Sequence, residues 1–504
     1  MLGHRVNTSE DWKQLPWRQY RQNQFRLQSR VYQAIRAGDT ARARNLQKLI
    51  LRSRAARMLA IRQVTQLNEG KRTAGIDGKK FLTFKERFEL EQTLANNGTP
   101  WKHQQLREIP IPKKNGQTRI LKVPTMADRA WQCLVKSTLE PAHEAIFNAR
   151  NYGFRPGRSA HDAQRLLFQH LKSNNHGKDK RILKLDIEKC FERISHQTIM
   201  DKIIAPQNIK AGIFKCLKVG VNPEFPEQGT PQGGVVSPLL ANIALNGIEE
   251  IHPSIRYADD MVIILKPNDN AEAILERIKA FLADRGMNIN LEKTRVTAAT
   301  DGFDFLGWHH QVLADGRFRS VPSEDNYRAF RKKAKAIINS SNYGAKVKSK
   351  KLAPIVRGWR NYHRHCKLNG SRFSLWHLNH RAWKVFNKES QLNRYQTDAL
   401  IKQAFPSIPY SENRHIMVKG NRSPFDGDIK YWSKRQSKLY NGTTAKTLIK
   451  QHHTCGHCGL KFVDEERIHL HHIDGNHSNW NPKNLMAIHE SCHDYIHMGK
   501  GKLN

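Results

Sequence analysis

Apolar and polar positions follow two periods along this chain, and the switches between them mark its elements. From residue 11 to 68, Leu46, Leu49, Ile50, Met58, Leu59, Ile61 and Val64 recur at helical spacing with arginines between them. That predicts a basic helical segment, closed by the turn-rich run from Lys71 to Gly78. Ile109 to Leu121 reads as a β-hairpin whose Asn115-Gly116 turn is flanked by Lys113, Lys114 and Arg119. The loop Tyr152 to Ser159 leads into a helix entered near Ser159. Arg181 to Phe191 predicts a strand, a turn and a helix, with Asp186 near the strand's end. The glycines and prolines of Gln228 to Pro238 make a stiff loop that backbone ligands can approach, followed by a helix over Leu239 to Leu245. In Arg256 to Leu265 two adjacent carboxylates interrupt an apolar run, which predicts strand, tight turn, strand, with Asp259 and Asp260 at the turn. Aspartates at a hairpin tip stand where hard cations reach them.

Composition narrows the partner. The chain has 504 residues, room for roughly three or four domains. Its 85 lysines and arginines against 45 acidic residues give a net charge of +40, which points to nucleic acid. No long apolar segment or lipidation motif appears, so no membrane partner is expected. Met1 to Arg5 lacks an apolar signal core, and the expected location is intracellular. Between Asp325 and Gln451, 28 basic residues face 6 acidic ones, interleaved with Trp359, Tyr362, Phe373, Trp376 and Trp383. Cations with rings suit phosphates and bases. The tryptophans themselves are expected in a helical core, with the lysines outward.

Seven cysteines do not make a disulfide scaffold in a chain of this length. Cys455, Cys458, His489 and Cys492 form two doublets with the spacing of a structural Zn²⁺ knot. So small a unit needs such a staple. His493 and His497 lie four apart, on one helix face, where both imidazoles can bind one ion. With His471 and His472 they make a second histidine set, or share the first metal site.

The ordered series is more specific than any member. Asp186 and Phe191, the Gly229-Thr230-Pro231-Gln232-Gly233-Gly234 loop, the Tyr257-Ala258-Asp259-Asp260 turn and Gly286 to Thr294 resemble the reverse transcriptase of group II introns, from about residue 55 to 310. The resemblance implies an α+β, right-hand-like arrangement: an N-terminal helical extension (1–70), fingers and palm (71–322) and a helical thumb. Asp186 and Asp259 would bridge two Mg²⁺ ions, with Asp260 in support. Lys113 and Arg119 would neutralise a dNTP triphosphate, Gln232 would lie at the nucleotide, and Phe191 under the sugar would exclude a 2′-hydroxyl. Lys293 would serve as proton donor or electrostatic partner to the leaving pyrophosphate. Glu192 stands where most relatives carry Asp, at a position that is not a metal ligand in the family.

Pro354 to His363 resembles the family's thumb or maturase segment (323–408), which binds intron RNA. Ser423 to Asp428 with Tyr431-Trp432 resembles its DNA-binding connector (409–450). Residues 451–504 resemble the HNH nucleases, a small ββα-metal fold stapled here by zinc. That likeness makes His472 the general base, gives His471, His493 and His497 one divalent ion (Mg²⁺, Mn²⁺ or Zn²⁺), and has Asn484 brace the loop. His471 stands where relatives often carry Asp. The implied protein is a reverse transcriptase, maturase and DNA endonuclease acting with intron RNA, target DNA and dNTPs in target-primed reverse transcription. Its implied place is the bacterial cytoplasm or an organelle, at the nucleoid when engaged on DNA. The alternatives are a splicing-only maturase, or a reverse transcriptase of a retron or CRISPR-associated system.

Overall fold

The structure, a computed structural model, describes residues 9–97, 101–112, 116, 118–220, 222–368, 373–408, 410–428, 430–432, 434–435, 440, 442–459, 462 and 468–497. The basic N-terminal segment is helical as its period predicts: α1 (Ser9–Gln14), α2 (Trp17–Arg36), α3 (Thr40–Arg52) and α4 (Arg54–Arg62). Asp39 and Ser53 start α3 and α4 by accepting the amides of Arg42 and Ala56. Leu46, Ile50, Met58 and Ile61 are buried, whereas Leu49 is exposed, so the apolar stripe is narrower than the sequence pattern implies.

After α5 (Phe84–Asn97) comes an antiparallel hairpin, β1 (Arg107–Pro112) and β2 (Thr118–Val123). Its described pairing ends at Pro112 opposite Thr118, and Asn115 of the expected Asn-Gly turn lies outside the described residues. Lys113 and Lys114 lie outside the described residues. The buried helix α6 (Met126–Glu144) and then α7 (Ala160–Leu171) follow, the latter entered through a capping box between Ser159 and Asp162.

The central antiparallel sheet has the order β4-β5-β3-β6, from β3 (Arg181–Leu185), β4 (Ser254–Tyr257), β5 (Asp260–Leu265) and β6 (Arg295–Ala298). Between β3 and β4 run α8 (Cys190–Arg193), α9 (His196–Lys202), α10 (Gln207–Lys218) and α11 (Ser237–Leu245), with α12 (Ala271–Ala283) after β5. Leu183, Leu185, Met261 and Ile263 share a core with α11 and α12. On the other face Ile182, Val262 and Ile264 pack with Leu167 and Leu171 of α7. Both faces are covered, which is why Met261 to Leu265 reads as an unbroken apolar run.

A three-stranded meander follows, β7 (Phe303–Phe305), β8 (Trp308–Val312) and β9 (Phe318–Pro322). A helical bundle follows, of α13 (Glu324–Ile338), α14 (Ala345–Tyr362), α15 (Trp376–Ser390) and α16 (Arg394–Ala404), over the residues that the sequence likeness makes a thumb. Trp359 is buried there, stacked on Phe330 with ring centres 4.6 Å apart, as expected of a core tryptophan. Trp376 breaks that expectation. It is 61% exposed at the start of α15, stacked on the imidazole of His380 and meeting that of His377 edge-on.

The segment after the thumb folds back onto the palm. Buried Asp162 accepts from Val418 N and Arg435 and meets His415 Nε2 at 3.2 Å. Finally α17 (Gly442–Lys450) leads to a hairpin, β10 (Ile468–His472) with β11 (Leu485–His489), and then α18 (Glu490–His497). Among the described residues no helix is long and apolar enough to cross a membrane.

Candidate active site

Leu185 pairs with Met261 across β3 and β5, so Asp186 and Asp260 leave adjacent strands at the same end of the sheet. Tyr257 pairs with Asp260, which leaves Ala258 and Asp259 as a two-residue turn. Ala258 has φ +60°, a position that glycine usually takes in such hairpins and that costs an L-residue roughly 1–2 kcal/mol. The neighbourhood enforces it. Arg256, fully buried, donates through Nη1 to the Ala258 carbonyl (3.1 Å) and to Asn242 Oδ1 (3.0 Å). Its Nε donates to the equally buried Glu249 at 2.6 Å. From the other side Gly153 presses on the turn: a Cβ there would stand 2.3 Å from Ala258 N. Arg256, Glu249, Asn242 and Gly153 were not read from sequence as parts of the site. The only signal was Gly153 and Arg256 lying inside quoted motifs.

Desolvation by the surrounding walls raises the pKa of Asp259 and of Asp260, and the neighbouring carboxylates add to it: Asp186 for Asp259, and Asp259 for Asp260. Lys293 Nζ reaches Asp186 Oδ2 at 3.4 Å. Such a gathering of carboxylate oxygens is a donor set suited to Mg²⁺. The three aspartates do not draw within 4.8 Å of one another as the C-terminal ligand groups do.

Beside them lies a chain of polar contacts. Arg119 of β2 donates to Gln232 Oε1, and Gln232 Nε2 donates to Glu192 Oε1 at 3.4 Å. Lys122 N donates to the Gln232 carbonyl (2.8 Å), and Thr230 N to that of Phe191 (2.7 Å), which ties the glycine-rich loop to both flanks. Gly233 is required here, since at φ +120° a Cβ would lie 2.7 Å from Lys122 O. Phe191 is half-buried against the palm core. Arg119, Gln232 and Glu192 thus meet in one chain of contacts.

At the C-terminus Cys455, Cys458, His489 and Cys492 are all buried, with ligand atoms within 4.8 Å of one another. Cys458 Sγ lies 3.3 Å and Cys492 Sγ 3.8 Å from His489 Nδ1, spacings at which three thiolates and an imidazole can surround one Zn²⁺. His471, His493 and His497 form a second, separate group, also within 4.8 Å. The histidines therefore do not share one site. His472 is in neither group, because successive strand residues face opposite sides. Among the described residues its buried ring nitrogens have no hydrogen-bond partner, and Trp480 and His477 meet it at 5.2 and 5.1 Å between ring centres. Asn484 braces the loop as expected: Nδ2 donates to Asp474 Oδ1 (2.8 Å) and Oδ1 accepts from Asp474 N (3.0 Å). The two chain ends also meet, for Arg21 Nη1 of α2 lies 3.7 Å from Cys458 Sγ and 3.5 Å from His489 Nδ1.

Residues 111–310 match the family described as reverse transcriptase (RNA-dependent DNA polymerase), and residues 12–94 its N-terminal domain. Residues 327–399 match the group II intron maturase-specific domain. Maturase-like protein 1 of Euglena gracilis is 36% identical over 450 residues, covering 87% of this chain and 95% of that protein. The chain belongs to the group II intron reverse transcriptase–maturase family. Protein YkfC of Escherichia coli (strain K12) is 28% identical over 51% of this chain and 80% of its own. The group II intron-encoded protein LtrA of Lactococcus lactis subsp. cremoris is 27% identical over 43% of this chain and 48% of its own. As a member of this family the chain is an RNA-directed DNA polymerase with a maturase domain, and a reverse transcriptase implies a divalent metal such as Mg²⁺.

Proposed function

We propose that this reverse transcriptase–maturase is an intron mobility enzyme: it copies its intron RNA into DNA, assists splicing of that RNA, and nicks target DNA with an HNH-type nuclease at its C-terminus. The carrying observation is the hairpin-plus-helix unit of β10, β11 and α18. It sets a three-histidine group on one side, His472 on the other and a braced loop beside both.

In the palm, Asp186 and Asp259 would hold Mg²⁺, with Asp260 in support, and the metal would supply Lewis-acid activation and charge neutralisation when bound. Arg119 brings a cation to the triphosphate side, and Gln232, fixed between Arg119 and Glu192, presents a set amide orientation to the nucleotide. Phe191 places its ring under the sugar and disfavours a 2′-hydroxyl by bulk. Lys113 would add a second cation, and Lys293 sets a proton-bearing ammonium beside Asp186. In the C-terminal unit His471, His493 and His497 suit one divalent ion, and His472, on the opposite side of β10, is the candidate general base. The thumb's basic helices serve intron RNA, and the Cys455 group suits a structural Zn²⁺. In this reading the protein works in the bacterial cytoplasm or an organelle, with intron RNA, target DNA and dNTPs as partners.

Asp259→Ala is expected to abolish dNTP incorporation on a primed RNA template while intron RNA binding stays within a few-fold; full-rate synthesis by the variant overturns the palm assignment. His472→Ala is expected to remove nicking of duplex DNA and spare polymerisation. Loss of both activities would make the C-terminal unit structural only, and favour the splicing-only reading.

A further inference from the structure

The contacts from Arg119 through Gln232 to Glu192 join strand β2, the glycine-rich loop and α8, and their two ends differ in kind. A guanidinium only donates and a carboxylate only accepts. A glutamine between them therefore has one satisfied orientation, its oxygen toward Arg119 and its amino group toward Glu192. Arg119 is exposed and spends its Nε on that oxygen; among the described residues its two Nη groups have no protein partner. An arginine held by Nε presents the rest of its fork to an oxyanion. Burial raises the Asp259 carboxyl and the Arg119 charge works against it, so the guanidinium stands within electrostatic reach of the palm carboxylates. The loop does not need Glu192 for its shape, because its backbone is already tied. Gly229 N donates to the Ile194 carbonyl (2.8 Å), Thr230 N to that of Phe191 (2.7 Å), and Lys122 N to that of Gln232 (2.8 Å). What the carboxylate adds is the direction of the Gln232 amide and, at its far end, the place of the Arg119 charge.

We propose that Glu192 is a positioning residue for nucleotide binding: acting through the Gln232 amide, it holds the Arg119 fork toward the triphosphate of the incoming dNTP. The inference rests on the nucleotide roles given above to Arg119 and Gln232, and names the group that orients them. Without the carboxylate the amide is free to turn, and an amino group facing Arg119 would set two donors against each other. Among the described residues Gln232 is the one hydrogen-bond partner of the Glu192 carboxylate, at 3.4 Å. The effect of Glu192 therefore falls on holding the triphosphate and not on the metal-bound carboxylates that serve bond formation.

The test is single-nucleotide incorporation by the full-length protein on a primed RNA template, with kcat and KM for the dNTP measured separately. Glu192 is half-buried, and Glu192→Gln keeps its volume while removing the acceptor-only end. This variant should raise KM by about tenfold, the scale of one charge-assisted hydrogen bond. Its kcat should stay within about twofold, and its Mg²⁺ requirement should not move. In a Gln232→Met background, where the amide is gone, Glu192→Gln should change KM by less than about twofold. An unchanged KM in Glu192→Gln overturns the proposal, and so does the full effect persisting in the Gln232→Met background. A fall in kcat as large as the rise in KM, or a raised Mg²⁺ requirement, would make Glu192 a metal-side group and also overturn it. Arg119→Ala separates this from the underlying reading. If Arg119→Ala raises KM and Glu192→Gln does not, the nucleotide role of Arg119 stands and the role of Glu192 falls; if Arg119→Ala leaves KM unchanged, both fall.

Discussion

Replacing Arg256 with Met tests what holds the catalytic turn. The change strands Glu249, which is fully buried, without its cation, and takes the donor from the Ala258 carbonyl and from Asn242. Removing one member of a buried pair costs roughly 3–5 kcal/mol, and the orphaned acceptors about 1 kcal/mol more. For a cooperative unit of about 200 residues this lowers the melting temperature by roughly 8–24 °C. The double variant Arg256→Met with Glu249→Leu replaces both charges by apolar groups and is expected to recover most of that loss. Polymerase activity should part company with stability. In the double variant the Ala258 carbonyl still lacks its donor, the strained turn loses the arginine's hold, and dNTP incorporation on a primed RNA template should stay down tenfold or more. Thermal melting read beside single-turnover incorporation distinguishes the two effects. A melting shift under about 3 °C for the single variant would refute the buried-pair argument. Full activity in the double variant would refute the brace.

Two further outcomes are expected. Cys458→Ser should drop bound zinc, measured by elemental mass spectrometry, and release the C-terminal unit from α2, seen as faster proteolysis after residue 442; Arg21→Ala should speed that proteolysis with zinc content unchanged. The histidines between palm and connector should make the fold acid-sensitive. Burial first, then neighbouring charges, hold His161 down to about 4 and His365 to about 3, so both stay neutral when folded and bind protons when unfolded. The charged groups facing them, Asp162 and Arg364, act in opposite directions. Stability is thus complete above the unfolded histidine value near 6.5 and falls as pH drops towards 4, by up to about 2 kcal/mol per histidine at pH 5. A melting temperature flat from pH 7 to 5 would contradict this.

Much of the site was legible because its signals are local. The position of Asp186 at a strand end, the two-residue turn of Asp259, the cap at Ser159 and the zinc doublets all depend on residues a few positions apart, where chain geometry dictates which side chains share a face. The order of these motifs along the chain carried the family. Other features depend on residues that only folding makes neighbours. Arg119 finds Gln232 across 113 residues, and Arg21 meets the thiol of Cys458 across 437. Whether a tryptophan lies in the thumb core, as Trp359 does, or faces solvent, as Trp376 does, depends on which helix packs over it. The turn shows the division most plainly. Tyr257-Ala258-Asp259-Asp260 reads as a hairpin tip from its own residues, but nothing in it requires Ala258 to hold φ +60°. The buried Arg256–Glu249 pair and the close backbone of Gly153 impose that, because a strained conformation persists where packing and hydrogen bonds leave the chain no other.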